Sequence, residues 1–434
     1  MPRKSYDWRD NNTPPTIGIH SLEKHRVLAK YLNRYVHTLA KDPRNERLRL
    51  TIVDGFAGGG IYVHPATMAY TPGSPLISIR ELRAAEAQVN FERQSADILR
   101  TFSVIPRFFF VEKDVQNFQF LSDTLRREGY ANLIGQTITL LHGAFEDHVA
   151  EIIADIKRQS RSPRAIFILD QYGYKDVPLP MLRQIFSEIP RAEVLLTFAV
   201  DSLLNYFSES NAEMFQQVLG RTGFSKYLDI NESLEERANG IEWRSAIQHR
   251  LIGAIQKGSG ADYATPYFIV SQESNRAYWF VHLAKHLRAN LEMKNLHWSL
   301  TNSFSHYGAP GLEMLGYDPR RDEAILEQLQ LIPFDFGENA RASSEAALLE
   351  ELPRFISSCS ESPSYEELMG TLANRTPADE QLIKQSIERL AEEGELLVLT
   401  PAGNNRRKPG RMQASDRIEL RRQLIFDLGG SRKD

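Results

Sequence analysis

Short apolar, β-branched runs alternate with longer amphipathic stretches through the first 200 residues of the chain. Leu48–Val53, Arg107–Glu112, Thr137–Leu141, Ala165–Asp170 and Glu193–Phe198 read as strands of a buried sheet. Val115–Glu128 and Phe145–Lys157 carry helical spacing between them, and a helix begins near Ser21 with Leu22, Val27, Leu28, Tyr31 and Leu32 on one face. This alternation predicts βαβ units and a parallel sheet with helices on both faces. The rhythm breaks over residues 201–264, a mostly helical stretch with Asp201–Leu219 and Ile241–Gln256 as its best helices. Tyr267–Ser271 and Ala277–Leu283 follow, separated only by Gln272–Arg276, and predict an antiparallel hairpin at the end of the sheet.

A second pattern starts after Tyr317-Asp318-Pro319. Ala346–Ser357, Ser364–Leu372 and Asp379–Glu393 read as helices, the second opened by a Ser364/Glu367 capping box and the third closed by Gly394. A strand, Glu395–Thr400, then leads into the basic loop Asn404–Arg411. Three helices followed by a hairpin with a basic tip predict a winged helix. The expected division is a flexible arm over 1–20, a sheet domain over 21–318 with its helical insertion at about 201–264, a linker over 319–344 and a winged-helix-like domain over 345–434. No internal repeat interrupts this plan.

Composition narrows the setting. A charged fraction of 25% and a hydrophobic fraction of 42% suit an ordinary globular protein. No apolar run spans a bilayer, and the N-terminal residues lack the apolar stretch of a secretory signal, so a cytoplasmic location is expected. The single cysteine, Cys359, excludes an internal disulfide and a cysteine-rich metal site within the chain. His282 and His286 are four apart, but nothing nearby completes a metal-ligand set, so no metal is expected. A net charge of −4 gives no general support for nucleic-acid binding, which would have to rest on a local basic surface.

The candidate chemistry gathers at strand ends. Leu48–Val53 runs into Asp54-Gly55-Phe56-Ala57-Gly58-Gly59-Gly60, an acid followed by a glycine-rich turn. Glycines there permit positive φ and close approach of a ligand. The acid precedes the glycines, which disfavours a dinucleotide site. The stretch resembles the first motif of class I methyltransferases, Asp-x-Phe-x-Gly-x-Gly. That resemblance implies S-adenosylmethionine held by Asp54, Gly55, Phe56, Gly58 and Gly60, with Asp54 at its amino end. Glu112 ends the second strand, where a carboxylate can accept hydrogen bonds from both ribose hydroxyls. More than fifty residues part the two motifs, so an insertion is expected at about Ile61–Thr71. At the third strand's end, Ala144 and Phe145 either flank an adenine ring or, for Phe145, enter the core. Asp170-Gln171-Tyr172-Gly173-Tyr174 ends the fourth strand, where amino-methylating members carry Asp/Asn-Pro-Pro-aromatic to hold the target nitrogen. Asp170 and Tyr172 match as catalytic candidates; Tyr172 or Tyr174 either stacks on a base or covers cofactor and core. Both prolines are replaced. Arg406, Arg407 and Lys408 in the wing either follow a phosphate backbone or form a solvated loop. The third helix, with Asp379, Glu380, Glu388, Glu392 and Glu393 against Lys384 and Arg389, is a poor major-groove reader.

Further segments extend the resemblance: Lys24-His25 and the helix through Tyr31, Gly73-Ser74-Pro75-Leu76, Phe167–Asp170, and Asn290–Trp298. With Val53–Gly58 they resemble the three-Cys-motif partner proteins over roughly residues 20–300. Gly73-Ser74-Pro75 also reads physically, as a turn, an N-cap serine and a proline at the first helical position. The resemblance implies an α/β, Rossmann-like class I methyltransferase sheet of parallel strands plus an antiparallel terminal hairpin. It implies methyl transfer from S-adenosylmethionine to a nucleic-acid amine of RNA or DNA, in a bacterial mobile-element or phage-defence context. It also implies a separate iron–sulfur or radical-type protein carrying three cysteines. Members often read Asp-Pro-Phe-Gly where this chain has Asp170-Gln171-Tyr172-Gly173. The alternative is a non-catalytic partner of that cysteine-bearing protein.

Overall fold

The computed structural model describes residues 6, 8, 13–171, 173–200, 212–228, 243–271, 276–300, 311–312 and 337–421. The chain divides into two compact units, residues 1–308 with 315–337, and residues 309–314 with 338–434.

In the first unit, α1 (Ile19–Ala40) precedes β1 (Arg47–Asp54), the short strands β2 (Ile61–Val63) and β3 (Tyr70–Pro72), and α2 (Ser74–Ser95). Then come β4 (Ser103–Glu112), α3 (Val115–Arg127), β5 (Ile138–His142), α4 (Phe145–Gln159), β6 (Arg164–Leu169), α5 (Leu179–Glu188) and β7 (Arg191–Phe198). The unit continues through α6 (Ala212–Thr222), α7 (Trp243–Ser259), β8 (Tyr263–Ser271), β9 (Arg276–Ala284) and α8 (Leu287–Leu300). The expected insertion between the glycine turn and Glu112 is the antiparallel β2–β3 pair, followed by the long α2. The first part of the predicted Asp201–Leu219 helix lies outside the described residues.

Seven strands form one sheet in the order β5-β4-β1-β6-β7-β9-β8. β1 pairs in parallel with β4 on one side and β6 on the other, and β9 alone runs antiparallel to both neighbours. Renumbered over these seven strands, the order is 3-2-1-4-5-7-6. It is the doubly wound order with one reversed strand slipped in next to the edge. The fold is therefore the expected Rossmann-like sheet of the methyltransferase type, its last two strands a hairpin. The last five residues of β1 and every residue of β7 after Arg191 are buried, as strands covered on both faces must be. The hairpin is longer than the sequence predicts because β8 begins before Pro266. Proline is tolerated there because β8 is the edge strand.

The topology matters for function because the chain leaves β1 toward β4 and β5, then returns to the other side through β6 and β7. The switch point lies at the carboxyl ends of β1, β4 and β6, where open α/β sheets take their ligands. Where it is described, the N-terminal segment read as a flexible arm is packed. Trp8 is buried, the Ile17 N–H donates to the Val63 carbonyl, and the Val63 N–H donates to Pro15.

The second unit is built from α9 (Glu338–Ser358), α10 (Tyr365–Leu372), α11 (Glu380–Glu392) and the antiparallel pair β10 (Leu396–Leu399) and β11 (Arg417–Leu420). Ser364 and Glu367 form the predicted capping box on α10, and Asp379 caps α11 by accepting from the Leu382 N–H. Its core joins Leu348, Leu352, Leu368, Leu372, Ile383 and Ile387 with Val398 and Ile418 of the hairpin.

Candidate active site

The glycine turn is fixed by the strand tips on either side. The N–H of Gly55 donates to Ile168 and that of Ala57 to Val111, so β6 and β4 each hold one side of the turn. The N–H of Phe56 donates to the Asp54 carboxylate at 3.2 Å, and that of Gly58 to Glu112 at 2.8 Å. Gly58 and Gly60 have φ of +58° and +81°, the left-handed conformation that glycine alone adopts freely. Beneath Gly55, a Cβ would come within 3.0 Å of the Phe145 ring. Phe145 packs there, buried, with its centroid 6.4 Å from Phe167. Of its two sequence readings, the core one describes its place. Ala144 is half-buried and holds the N-cap of α4.

Three carboxylates end adjacent strands around this turn. Asp54 is fully buried, and its Oδ2 has no hydrogen-bond partner. Burial pushes its carboxyl up to about 7. Hydrogen bonds from Ser74 and the Phe56 N–H work against that rise, while the nearby charges of Asp170 and Glu112 add to it. Asp54 and Glu112 end the paired strands β1 and β4, and Asp170 follows β6 on the other side of β1, so the three acids lie at one end of the sheet. Ser74 is not the predicted N-cap. Gly73 occupies that position and, having no side chain, makes no side-chain cap, while Ser74 is the first residue of the helix. Glu112 accepts from Gly58 with one oxygen and from the Asp114 N–H, at 2.8 Å, with the other. Each oxygen keeps a second lone pair. Burial raises its carboxyl above the ordinary value, against the lowering effect of the two amides.

Asp170, just past β6, receives Lys24 of α1, whose Nζ is 2.5 Å from both carboxylate oxygens. Burial pushes the Asp170 carboxyl up, but the Lys24 charge and hydrogen bond outweigh it, with help from Thr197 and His25, and hold it below its usual range. The neighbouring His25 is pushed down to about 4 by burial and by the Lys24 charge, so its ring is neutral near pH 7. Lys24 is buried on the same face of α1 as Val27, Leu28 and Tyr31. A lysine inside an apolar stripe is the one sequence signal of this role, and sequence reasoning did not assign it.

The loop after β6 is ordered by Gln171, which stands at the first proline of the Asp/Asn-Pro-Pro-aromatic pattern. Its side-chain oxygen accepts from the N–H groups of Asp176 and Val177 at 3.1 and 3.2 Å. A hydrogen-bonded turn thus replaces a rigid proline one. Tyr172 lies outside the described residues. Tyr174 is buried, its ring centroid 6.2 Å from Phe198. It covers the core side of the loop and offers no open face for stacking.

The winged helix holds the remaining candidates. Arg406 is tied to the fully buried Asp416, with Nη2 2.7 Å from Oδ1, and serves to anchor the wing. Arg407, Lys408 and Arg411 are exposed. On α11, Arg389 pairs with Glu345 and Glu393, so the helix's arginine is committed to carboxylates.

Residues 316–403 match the family described as a GMT-like wHTH domain, in agreement with the three helices and hairpin of the second unit. A comparison with curated proteins finds no match. Among solved structures, protein LPL1258 from Legionella pneumophila aligns at 13% identity and a TM-score of 0.35, over 66% of this chain and 93% of that one. The O-methyltransferase TomG from Streptomyces achromogenes aligns at 12% identity and a TM-score of 0.28, over 62% and 91%. A precorrin-6y C5,15-methyltransferase from Geobacter metallireducens aligns at 11% identity and a TM-score of 0.24, over 65% and 94%. The strand order carries the fold assignment. Among the described residues, no helix is long and apolar enough to cross a membrane.

Proposed function

We propose that the chain is an S-adenosylmethionine-dependent methyltransferase whose acceptor is a nucleic-acid amine. The placement of Asp54, Glu112 and Asp170 at the carboxyl ends of the adjacent strands β1, β4 and β6, beside a positive-φ glycine turn, is the observation that carries this reading. The residues fit the cofactor. The orphaned Oδ2 of Asp54 is an acceptor waiting for a buried cation, which suits an ammonium group. The two spare lone pairs of Glu112 suit a pair of ribose hydroxyls. Ala144, at the head of α4, would flank the adenine side.

When bound, S-adenosylmethionine supplies a methyl group already activated on a sulfonium. The chain's own work is alignment. Asp170 accepts a hydrogen bond from the acceptor amine and turns its lone pair toward the methyl carbon. With the cofactor bound, the N–C bond would form as the C–S bond breaks, leaving S-adenosylhomocysteine. Lys24 keeps Asp170 ionised and fixed. An ion-paired carboxylate is a weak base, so the surplus proton on the nitrogen passes to water. Arg407, Lys408 and Arg411 supply a phosphate-following edge on the second unit. In keeping with the family resemblance, the three-cysteine protein is the partner, and a bacterial mobile-element or defence system is the setting.

The test is methyl incorporation from labelled cofactor into total tRNA, rRNA and DNA, with the partner absent and present. We expect incorporation into one class, reduced about a hundredfold by Asp170→Ala. No incorporation into any class under either condition overturns the reading. A second reading, a non-catalytic partner of the cysteine-bearing protein, is favoured by one observation: Lys24 already occupies both oxygens of Asp170. Binding of the partner without any transfer is its signature.

A further inference from the structure

We infer that Trp8 is a positioning residue for the glycine turn, its indole bracing Gly58 and Gly59 in the shape that takes the cofactor. The inference rests on the reading of this crevice as the cofactor site. Trp8 is only 4% exposed, and its Nε1–H donates to the Ile61 carbonyl at 2.8 Å. A Cβ built on Gly59 would lie 2.6 Å from three indole atoms, and one on Gly58 would lie 2.8 Å from Cη2.

The three glycines have different reasons to be glycine. Gly58 and Gly60 need their positive φ. Gly59 does not adopt that conformation, and the three atoms nearest its missing Cβ all belong to the indole. The contact is thus specified at both ends, by a tryptophan in the N-terminal segment and by a glycine that backbone geometry does not require. The strand tips hold the turn through the amides of Gly55, Ala57 and Gly58. Trp8 supports the following residues, where those bonds stop.

The brace is itself anchored. The Tyr6 hydroxyl accepts from the Gly18 N–H at 2.9 Å and donates to Ser21 at 3.1 Å. Trp8 meets Tyr62 edge-on at 5.1 Å between centroids, and Tyr62 lies 5.8 Å from His25. His25 adjoins Lys24, the partner of Asp170. Trp8, Tyr62 and His25 thus pack in sequence, and the backbone of α1 carries the cluster on to Lys24.

The experiment titrates the full chain with S-adenosylhomocysteine by calorimetry, for wild type, Trp8→Ala, Trp8→Phe, Gly59→Ala and the Trp8→Ala/Gly59→Ala pair. Hydrogen exchange of residues 58–61 is followed in each unliganded protein. Trp8→Ala and Gly59→Ala should each weaken binding about tenfold, and the double variant should stay near tenfold, far from the hundredfold of independent effects. Trp8→Phe should keep affinity within about threefold. Exchange at residues 58–61 should quicken in both single alanine variants. If wild type does not bind, the cofactor reading and this inference fall together. If wild type binds and the alanine variants bind as well or better, if the double variant is additive, or if exchange is unchanged, this inference falls alone. Should Trp8→Ala fail to fold, Gly59→Ala and Trp8→Phe decide the matter, since neither empties the core.

Discussion

The crevice of the first unit and the wing of the second both present charges, under opposite conditions. Asp54 is sealed from water and Glu112 is pinned between two backbone amides, whereas Arg407, Lys408 and Arg411 project into solvent. Burying a charge costs several kcal/mol unless partners compensate it, so each buried acid needs a specific local reason. An exposed charge costs almost nothing and specifies almost nothing. The crevice therefore argues for a defined ligand geometry, while the wing argues only for an anionic surface. Arg406 is the wing's exception: it is committed to the buried Asp416 and belongs, in its physics, with the crevice.

The sharpest way to break the comparison is Glu112→Ala. It removes the acceptor of the Gly58 and Asp114 amides as well as the proposed ribose contact. Calorimetry with S-adenosylhomocysteine should show a loss of about a hundredfold, near 2.7 kcal/mol. Binding within a few-fold of wild type would show that the tip acids are structural only.

Arg406→Ala should lower the stability of the second unit by about 2 kcal/mol, by stranding Asp416, while Arg407→Ala should change it by less than about 0.5 kcal/mol. Thermal melts of the two variants compare them directly. Equal melts would place Arg406 among the solvated charges.

The pH dependence of binding follows from Asp54. Its carboxyl, raised to about 7, is protonated in the free protein below that pH and must ionise to take an ammonium group. Affinity for S-adenosylhomocysteine should fall about tenfold for each pH unit below 7 and level off above it. Asp54→Asn should flatten the profile. The stability effect has the opposite sense: a folded value above the unfolded one means the contribution is full below about 4 and declines as pH rises toward 7. Asp54→Asn should therefore gain on wild type in melts at pH 8 compared with pH 5.

The smallest effect belongs to the wing. Alanine at Arg407, Lys408 or Arg411 should weaken RNA or DNA binding uniformly across sequences. Each should reduce the salt slope by about one counterion, read from fluorescence anisotropy over a salt series. No change in slope would assign the second unit to a protein partner.

The features legible in the sequence were those set within a few residues. The strand of β1, the acid at its tip and the positive-φ glycines declare themselves through periodicity and residue type, as does the Ser364/Glu367 capping box. Ser74 shows the limit of such reading. Its place before Pro75 favours an N-cap, yet the helix begins one residue earlier than that reading puts it, and Gly73 takes the cap position. Tyr174 reads equally well as a stacking ring or as core, because exposure is a property of what packs on it.

The sequence by itself determined the alternation of strands and helices, the glycine turn, the acidic strand tips and the winged helix, since each depends on local spacing and backbone conformation. Only the tertiary structure decided that β9 enters beside β7, that Lys24 meets Asp170 across 146 residues of chain, and that Trp8 closes on Gly59. Those pairings are chosen by which buried surfaces and charges find compensation once the sheet has closed, and no local pattern records that choice.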